Sequence, residues 1–583
     1  MATHRRAFLA VAAITLAGVA AWLLLAARPG RVASLETGPV SAGGELIASI
    51  RSEPSTYNRY LPAGAAAATD LVSQLIHARL VRVNRSTDQL EPALAETWTQ
   101  SDDGLTYTLR VREGIQWPDG VPFTSADALF TFRVAYDGSV KSPIGSALQI
   151  NGKPLQISAP DARTIVLTFP EPFAPGLRLL DNLPILPRHK LEAALNAGRL
   201  ADEWTPGQPL SNVLGLGPFR LVEHVAGQRL VFEANPQYFK RDPHGNPLPY
   251  LERLTLAVVP DQTTEGLRLE AGETDLLAHG EIRPQDYAAF KRAADGGRIR
   301  LLDVGVGLDP DFLSFNLRAS KQSDPRWSWL GTPELRRAIA WGVDRQAIAD
   351  TVYLGAAVPV SGPITPGNRT WYSPETPTFS HDPDRARQLL ASIGLRDIDG
   401  DGMLEDGSGA PIRFSIITQA GHNRERVASM LQQQLRALGI AIDIVPLDQR
   451  ALIQRWSAAD YDAMYFGLQA SSTDPWLNSE FWLSSGAFHL WNPGQPSPAT
   501  DWERRIDALM RDNAGTSDLI RRQRAFAEIQ RLFAEALPSI YLVAPRLMLA
   551  VSPRVQNPTP APQNPQLLWA AETLGSSRAG SSR

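Results

Sequence analysis

Residues 412–444 read IRFSIITQAGHNRERVASMLQQQLRALGIAIDI. Ile412, Phe414 and Ile416 alternate at the period of a strand. Val427, Met430, Leu431, Leu435 and Leu438 then recur at helical spacing as far as Gly439, after which Ile440, Ile442 and Ile444 alternate again. Strand, helix and strand in this order form a βαβ unit, so the two strands are expected side by side in a parallel sheet with a helix packed on it. The fold class read from this stretch is α/β.

Other helices announce their ends. Thr332 as N-cap, Pro333 and Glu334 predict a helix running to Tyr353 or Leu354, with Gly355 as its stop. Asp382-Pro383 opens a second that ends at Gly394, and Phe526, Ile529, Leu532 and Phe533 mark one face of a last helix before Pro538. The first half is richer in strands. Leu105, Tyr107, Leu109 and Val111 alternate with Thr106, Thr108, Arg110 and Arg112, and Ile165, Leu167 and Phe169 repeat the pattern. Leu230–Phe232 and Leu254–Val259 read as more deeply buried strands.

With 583 residues the chain exceeds what one core organises, so at least two lobes are expected. A net charge of -4 gives no broad attraction to nucleic acid, and the absence of cysteine excludes disulfides, thiolate chemistry and a lipid anchor on cysteine. At the N-terminus Arg5 and Arg6 precede an uncharged run from Ala7 to Ala27, so residues 1–30 read as an export signal or an uncleaved signal anchor tethering the chain to the inner membrane. Arg5-Arg6-Ala7-Phe8-Leu9 is similar to a twin-arginine signal and also fits the basic start of a Sec signal.

Catalytic constellations are missing from the sequence. There is no G-x-S-x-G, no H-E-x-x-H and no P-loop, and Gly215-Leu216-Gly217 lacks the third glycine of a dinucleotide site. The nine histidines are scattered, and no cofactor or metal is expected. Asp397, Asp399, Asp401 and Gly402 match the start of a calcium loop, but Ser408 stands where the bidentate glutamate belongs, so an acidic turn is the simpler reading. Aromatic residues gather in stretches between helices, at Trp371-Tyr372, Trp476, Phe481-Trp482, Phe488 and Trp491, as in a cleft for an organic ligand or in a core.

Several motifs together resemble one family. They are LEPALAETW at Leu90–Trp98, SDDGLTYTLR at Ser101–Arg110, WPDG at Trp117–Gly120 and FTSAD at Phe123–Asp127. GLGPF at Gly215–Phe219, NPQYF at Asn235–Phe239, Phe315-Asn316, LRRAI at Leu335–Ile339, Val343-Asp344-Arg345 and Tyr461-Asp462 follow in the family's order. The chain is identified as a member of the bacterial solute-binding proteins of family 5, which serve oligopeptide, dipeptide and nickel ABC transporters. The resemblance implies a two-lobed periplasmic-binding-protein-like fold with a hinge, mixed sheets flanked by helices, and a discontinuous first lobe. That lobe would comprise residues 45–69, 186–311 and 546–572 with an inserted subdomain at 70–185; the second lobe would be 312–545, and 573–583 a disordered tail. A monomeric periplasmic or extracytoplasmic receptor is implied, partnered by an ABC permease and ATPase, with a peptide or similar organic solute between its lobes.

Peptide-binding members place an aspartate shortly after a Gly-Trp pair to hold the peptide amine. Here Gly467–Pro475 reads GLQASSTDP, so Ser471 or Ser472 fills that slot, and no arginine near Thr418-Gln419 matches the one that dipeptide binders aim at the carboxylate. A serine supplies no charge to offset desolvation of an ammonium, so either Asp474 reaches in or the ligand presents no free amine. The candidate cleft residues are Tyr57, Gln419, Phe466, Gln469, Ser471, Asp474, Trp476 and Trp491. A secreted hydrolase, a receptor for an oligosaccharide or metal chelate, and a sensor are the alternatives.

Overall fold

The computed structural model describes Val40, residues 42–468 and residues 474–577. The expected signal or anchor at 1–30, Gln469 and Ser471 lie outside the described residues. Among the described residues no helix is long and apolar enough to cross a membrane.

The fold is two-lobed α/β, built on two large sheets. An eight-stranded mixed sheet runs in the order Phe219–Val225, Arg229–Ala234, Arg253–Val258, Glu45–Ile50, Leu276–Glu281, Val543–Val551, Arg300–Val306, with Ala357–Pro359 paired onto the start of Val543–Val551. A five-stranded sheet runs Ala441–Leu447, Arg413–Gln419, Ala463–Gly467, Asp311–Phe315, Ser539–Tyr541. A separate four-stranded antiparallel sheet, Ala95–Gln100, Thr106–Val111, Thr164–Thr168, Gln156–Asp161, lies within the stretch expected as an insertion. Val543–Pro545 and Ala357–Pro359, expected in the second lobe, therefore pair in the sheet of the first. Gly575–Ser576 pairs with Val555–Gln556 and Ser576 is buried, so ordered packing continues into residues expected as a disordered tail.

The βαβ reading is met: Arg413–Gln419 and Ala441–Leu447 pair in parallel, joined by the helix His422–Arg436. The five-stranded sheet is covered on both faces, and this explains its apolar strands. Leu313, Phe315, Phe414, Ile416 and Tyr465 face one core with Leu335, Ile339, Leu390 and Leu431 from three helices. Their strand neighbours Phe312, Ile417 and Met464 face the other, with Ile506, Leu509, Phe526, Ile529 and Phe533. The single helix expected from Pro333 is two, Pro333–Gly342 and Arg345–Thr351. Asp344 divides them, because its carboxylate accepts from the Ala347 amide and starts the second helix as an N-cap.

Candidate functional site

Two segments pass from one large sheet to the other. Arg300–Val306 is followed by Asp311–Phe315, and Ser539–Tyr541 by Val543–Val551. The segments are bonded at both ends of the passage: Gly307 N–H donates to Pro545 O (2.8 Å) and Leu542 N–H to Asp311 O (2.9 Å). Beside them opens a cavity of about 340 Å³. Glu281 and Tyr287 line it from the first-lobe side, Tyr353, Arg424 and Gly467 from the other, and Asp309, Asp311 and Arg546 from the connecting segments. It is thus a site to which both sheets contribute, as a closing receptor needs.

Its electrostatics are mixed. Asp311 is buried and accepts from the hydroxyls of Tyr353 and Tyr465, with Arg424 Nε 3.9 Å from its Oδ1. Burial raises its carboxyl above the usual range, against the opposing pull of Arg424 and the tyrosine hydroxyls. Arg424 lies over the Phe466 ring at 4.6 Å and donates to Gln419 Oε1 at 2.6 Å. Gly467 lets these groups approach: a Cβ there would stand 2.6 Å from Asp311 Oδ1 and 2.9 Å from Arg424 Nη2. Asp309 and Glu281 differ from Asp311 in reaching solvent. Burial raises both, helped for Asp309 by Asp311 and for Glu281 by Asp309. Among the described residues neither carboxylate has a hydrogen-bond or ion-pair partner. A second cavity of about 330 Å³ shares Glu281 and Arg283 with the first and adds Arg51 and His279.

The residues expected from sequence separate. Gln419 and Phe466 both contact Arg424, which lines this cavity, although neither lines it itself. Tyr57 is buried, with its hydroxyl 2.5 Å from His224 Nδ1, while His224 Nε2 lies 3.0 Å from Glu53. Burial and the Glu53 charge push this phenol up to about 12. Asp474 does not line this cavity: it is buried, paired with Arg522 at 2.8 Å, and accepts from the Trp476 amide. Trp476 is partly buried and stands edge-on to Phe173 at 6.3 Å. Trp491 is a core residue whose indole N–H donates to Glu503 at 3.0 Å. Trp371, Phe481 and Trp482 are core as well, whereas Tyr372 and Phe488 are exposed.

Sequence reading missed Glu281, Asp309, Asp311, Tyr353 and Arg424. The signal available was Asp309-Pro310-Asp311, a pair of acids at the entrance to an apolar strand. In the acidic loop, Glu405 comes within 4.8 Å of Asp397 and Asp399. These carboxylates accept backbone amides of their own loop, Gly400 and Gly402 on Asp397 and Ile398 on Glu405.

The family model "Bacterial extracellular solute-binding proteins, family 5 Middle" matches residues 89–489. A probable ABC transporter-binding protein of Deinococcus radiodurans is 25% identical, with 92% of each chain covered. The oligopeptide-binding protein AppA of Bacillus subtilis is 25% identical over 89% of each chain. Its solved structure with a nonapeptide superposes with a TM-score of 0.68 at 24% identity, covering 92% of this chain and 100% of that one. NikA from Brucella suis, solved with Fe(III)-EDTA, gives a TM-score of 0.73 at 20% identity, covering 92% and 100%.

Proposed function

The chain belongs to the bacterial extracellular solute-binding proteins of family 5, and from that premise we propose that it captures a positively charged, peptide-sized organic solute in the cavity beside the two connecting segments. It is the extracytoplasmic substrate-binding protein of an ABC-type importer, which receives cargo and delivers it to a permease. Family membership leaves the cargo open, since one relative was solved with a nonapeptide and another with Fe(III)-EDTA.

The observation that carries the cargo reading is the pair Glu281 and Asp309, two unpartnered carboxylates facing one cavity. An ammonium or guanidinium group of the ligand would give both a direct partner in place of the more distant charges of Arg51 and Arg424, and would do so best in the closed state, where water is scarce. In this reading Glu281 and Asp309 take the amine-receiving role that the family gives to the aspartate after its Gly-Trp pair. Arg424, Tyr353 and Gly467 form the opposite wall, with Gln419 and Phe466 behind Arg424. Its relatives are binding proteins, and we propose no catalytic role. The run from Ala7 to Ala27 is proposed to direct export and to tether a monomeric receptor to the inner membrane.

Thermal shift with peptides carrying a terminal amine, lysine or arginine, beside acetylated and acidic counterparts, tests the reading. Cationic peptides should raise Tm and the others should not, and the paired change Glu281→Gln with Asp309→Asn should abolish the discrimination. Equal shifts from acidic peptides, or discrimination surviving in the double variant, would reject it.

A further inference from the structure

A third, smaller cavity lies within the first-lobe half of the molecule. It measures about 40 Å³ and is bordered by His77, Arg82, Arg85, Lys240, Trp569 and Glu572. These residues come from distant parts of the chain. His77 ends the helix Ala67–Ile76, Arg82 lies in the strand Val81–Asn84, and Glu572 in the turn of helix Leu568–Thr573. The volume admits about two or three waters or one small ion, and excludes a peptide or sugar.

Its charges do not balance. Arg79, Arg82, Arg85 and Lys240 line it, and the lining carboxylates are Asp181 and Glu572. Adding Glu91, which pairs with Arg82 at 3.2 Å, gives four cations against three anions. Arg82 and Lys240 share Glu572, whose nearest oxygen is 2.5 Å from the guanidinium and 3.7 Å from the ammonium. Burial lowers Lys240 to about 8, and the neighbouring Arg82 pushes the same way against the pull of Glu572. Arg85 is lowered too, chiefly by burial. Lys240 and Arg85 are thus under-compensated, whereas Arg82, despite its burial, is held charged by Glu572 and Glu91.

His77 supplies an independent pointer. It is only 2% exposed, it stacks on Trp204 at 5.2 Å, and neither ring nitrogen has a partner in the protein. Burial and the nearby Arg79 hold it down to about 3, so the imidazole is neutral and carries one N–H donor. A buried donor on the wall of a cationic cavity calls for an acceptor.

We propose that this cavity binds a small monovalent anion of chloride size, with His77 as a neutral donor and Lys240 and Arg82 as its charge partners. The anion offsets the surplus cation and joins the end of the first-lobe helix, the 81–84 strand, the loop carrying Lys240 and the C-terminal turn. It acts as a structural ion and is independent of the cargo cavity.

Bromide is the probe, because it replaces chloride and scatters anomalously. Crystals of the exported chain soaked in sodium bromide should show an anomalous peak between His77 and Lys240. In solution, replacing sodium gluconate by bromide or chloride at constant ionic strength should raise Tm by about 2 °C. Lys240→Gln should remove that increment, and His77→Phe should reduce it. An ordered water in place of bromide, or equal Tm values in gluconate and halide, would overturn the proposal. Should either variant fail to fold, the bromide peak in the unaltered protein decides.

Discussion

Gly307 donates its backbone N–H to the carbonyl of Pro545 across 2.8 Å, and so ties together the two segments on which the sheets are strung. A bond between two antiparallel crossings permits rotation about them while resisting their separation, which is what lobe closure requires. The same passage is closely packed. Thr365 Oγ1 donates to Gly307 O at 2.6 Å, and a Cβ on Gly367 would stand 2.1 Å from Val306 O.

Gly367→Ala is therefore expected to displace the connecting segment at Val306. Overpacking of this kind costs about 1–3 kcal/mol. The midpoint of chemical denaturation should fall accordingly, and the change in radius of gyration on adding ligand should shrink. A variant with unaltered stability and closure would show that the passage has slack.

Asp474→Ala separates a structural acid from a ligand-binding one. Removing it leaves Arg522, 7% exposed at its side chain, without its carboxylate. Breaking a buried pair from one side costs about 3–5 kcal/mol. Stability should drop by that order, while ligand affinity measured on the folded fraction by calorimetry should stay within about threefold, a difference well under 1.4 kcal/mol. A selective loss of affinity would return Asp474 to the binding site.

Trp476→Ala tests closure from the other side. Phe173 and Trp476 meet edge-to-face, and Ala174 N–H donates to Ala514 O at 2.7 Å beside them. Such an aromatic pair is worth about 0.5–1.5 kcal/mol, so ligand affinity should fall roughly 3–10-fold through loss of the closed state. The Tm of the ligand-free protein should fall as well, because Trp476 also packs against the second-lobe core. An unchanged Kd would mean that the contact does not form on binding.

Glu503 governs an acid-dependent part of stability. Burial opposes ionisation, but His489, Trp491 and Thr500 all donate to its carboxylate and hold it down to about 2. Because the folded value lies below the unfolded one, the stabilisation is present above the ordinary value of 4.5 and is lost as pH falls toward about 2. Glu503→Gln should lower stability at neutral pH and flatten its fall across that window. A denaturation series against pH reads both effects.

How far the sequence reaches is visible in single residues. Asp382 caps its helix by accepting from Arg385 N–H, and Gly394 beyond the end takes φ +83°, both as the local pattern predicts. Trp476 and Trp491 look alike in the sequence, yet one stands edge-on to Phe173 and the other is tied to Glu503 in the core. Nothing in their local spacing separates them.

The sequence by itself determined several helix caps, the βαβ unit with its parallel strands and, through its motifs, the family. Each of these depends on side chains a few residues apart, where periodicity and capping act directly. Only the tertiary structure decided which charges meet. Asp311 reaches Arg424 and Tyr465 because strand Asp311–Phe315 is inserted between Ala463–Gly467 and Ser539–Tyr541, and Asp474 is claimed by Arg522 from a later helix. Sheet order sets those encounters, and it follows from packing the whole chain, which no local run of residues encodes.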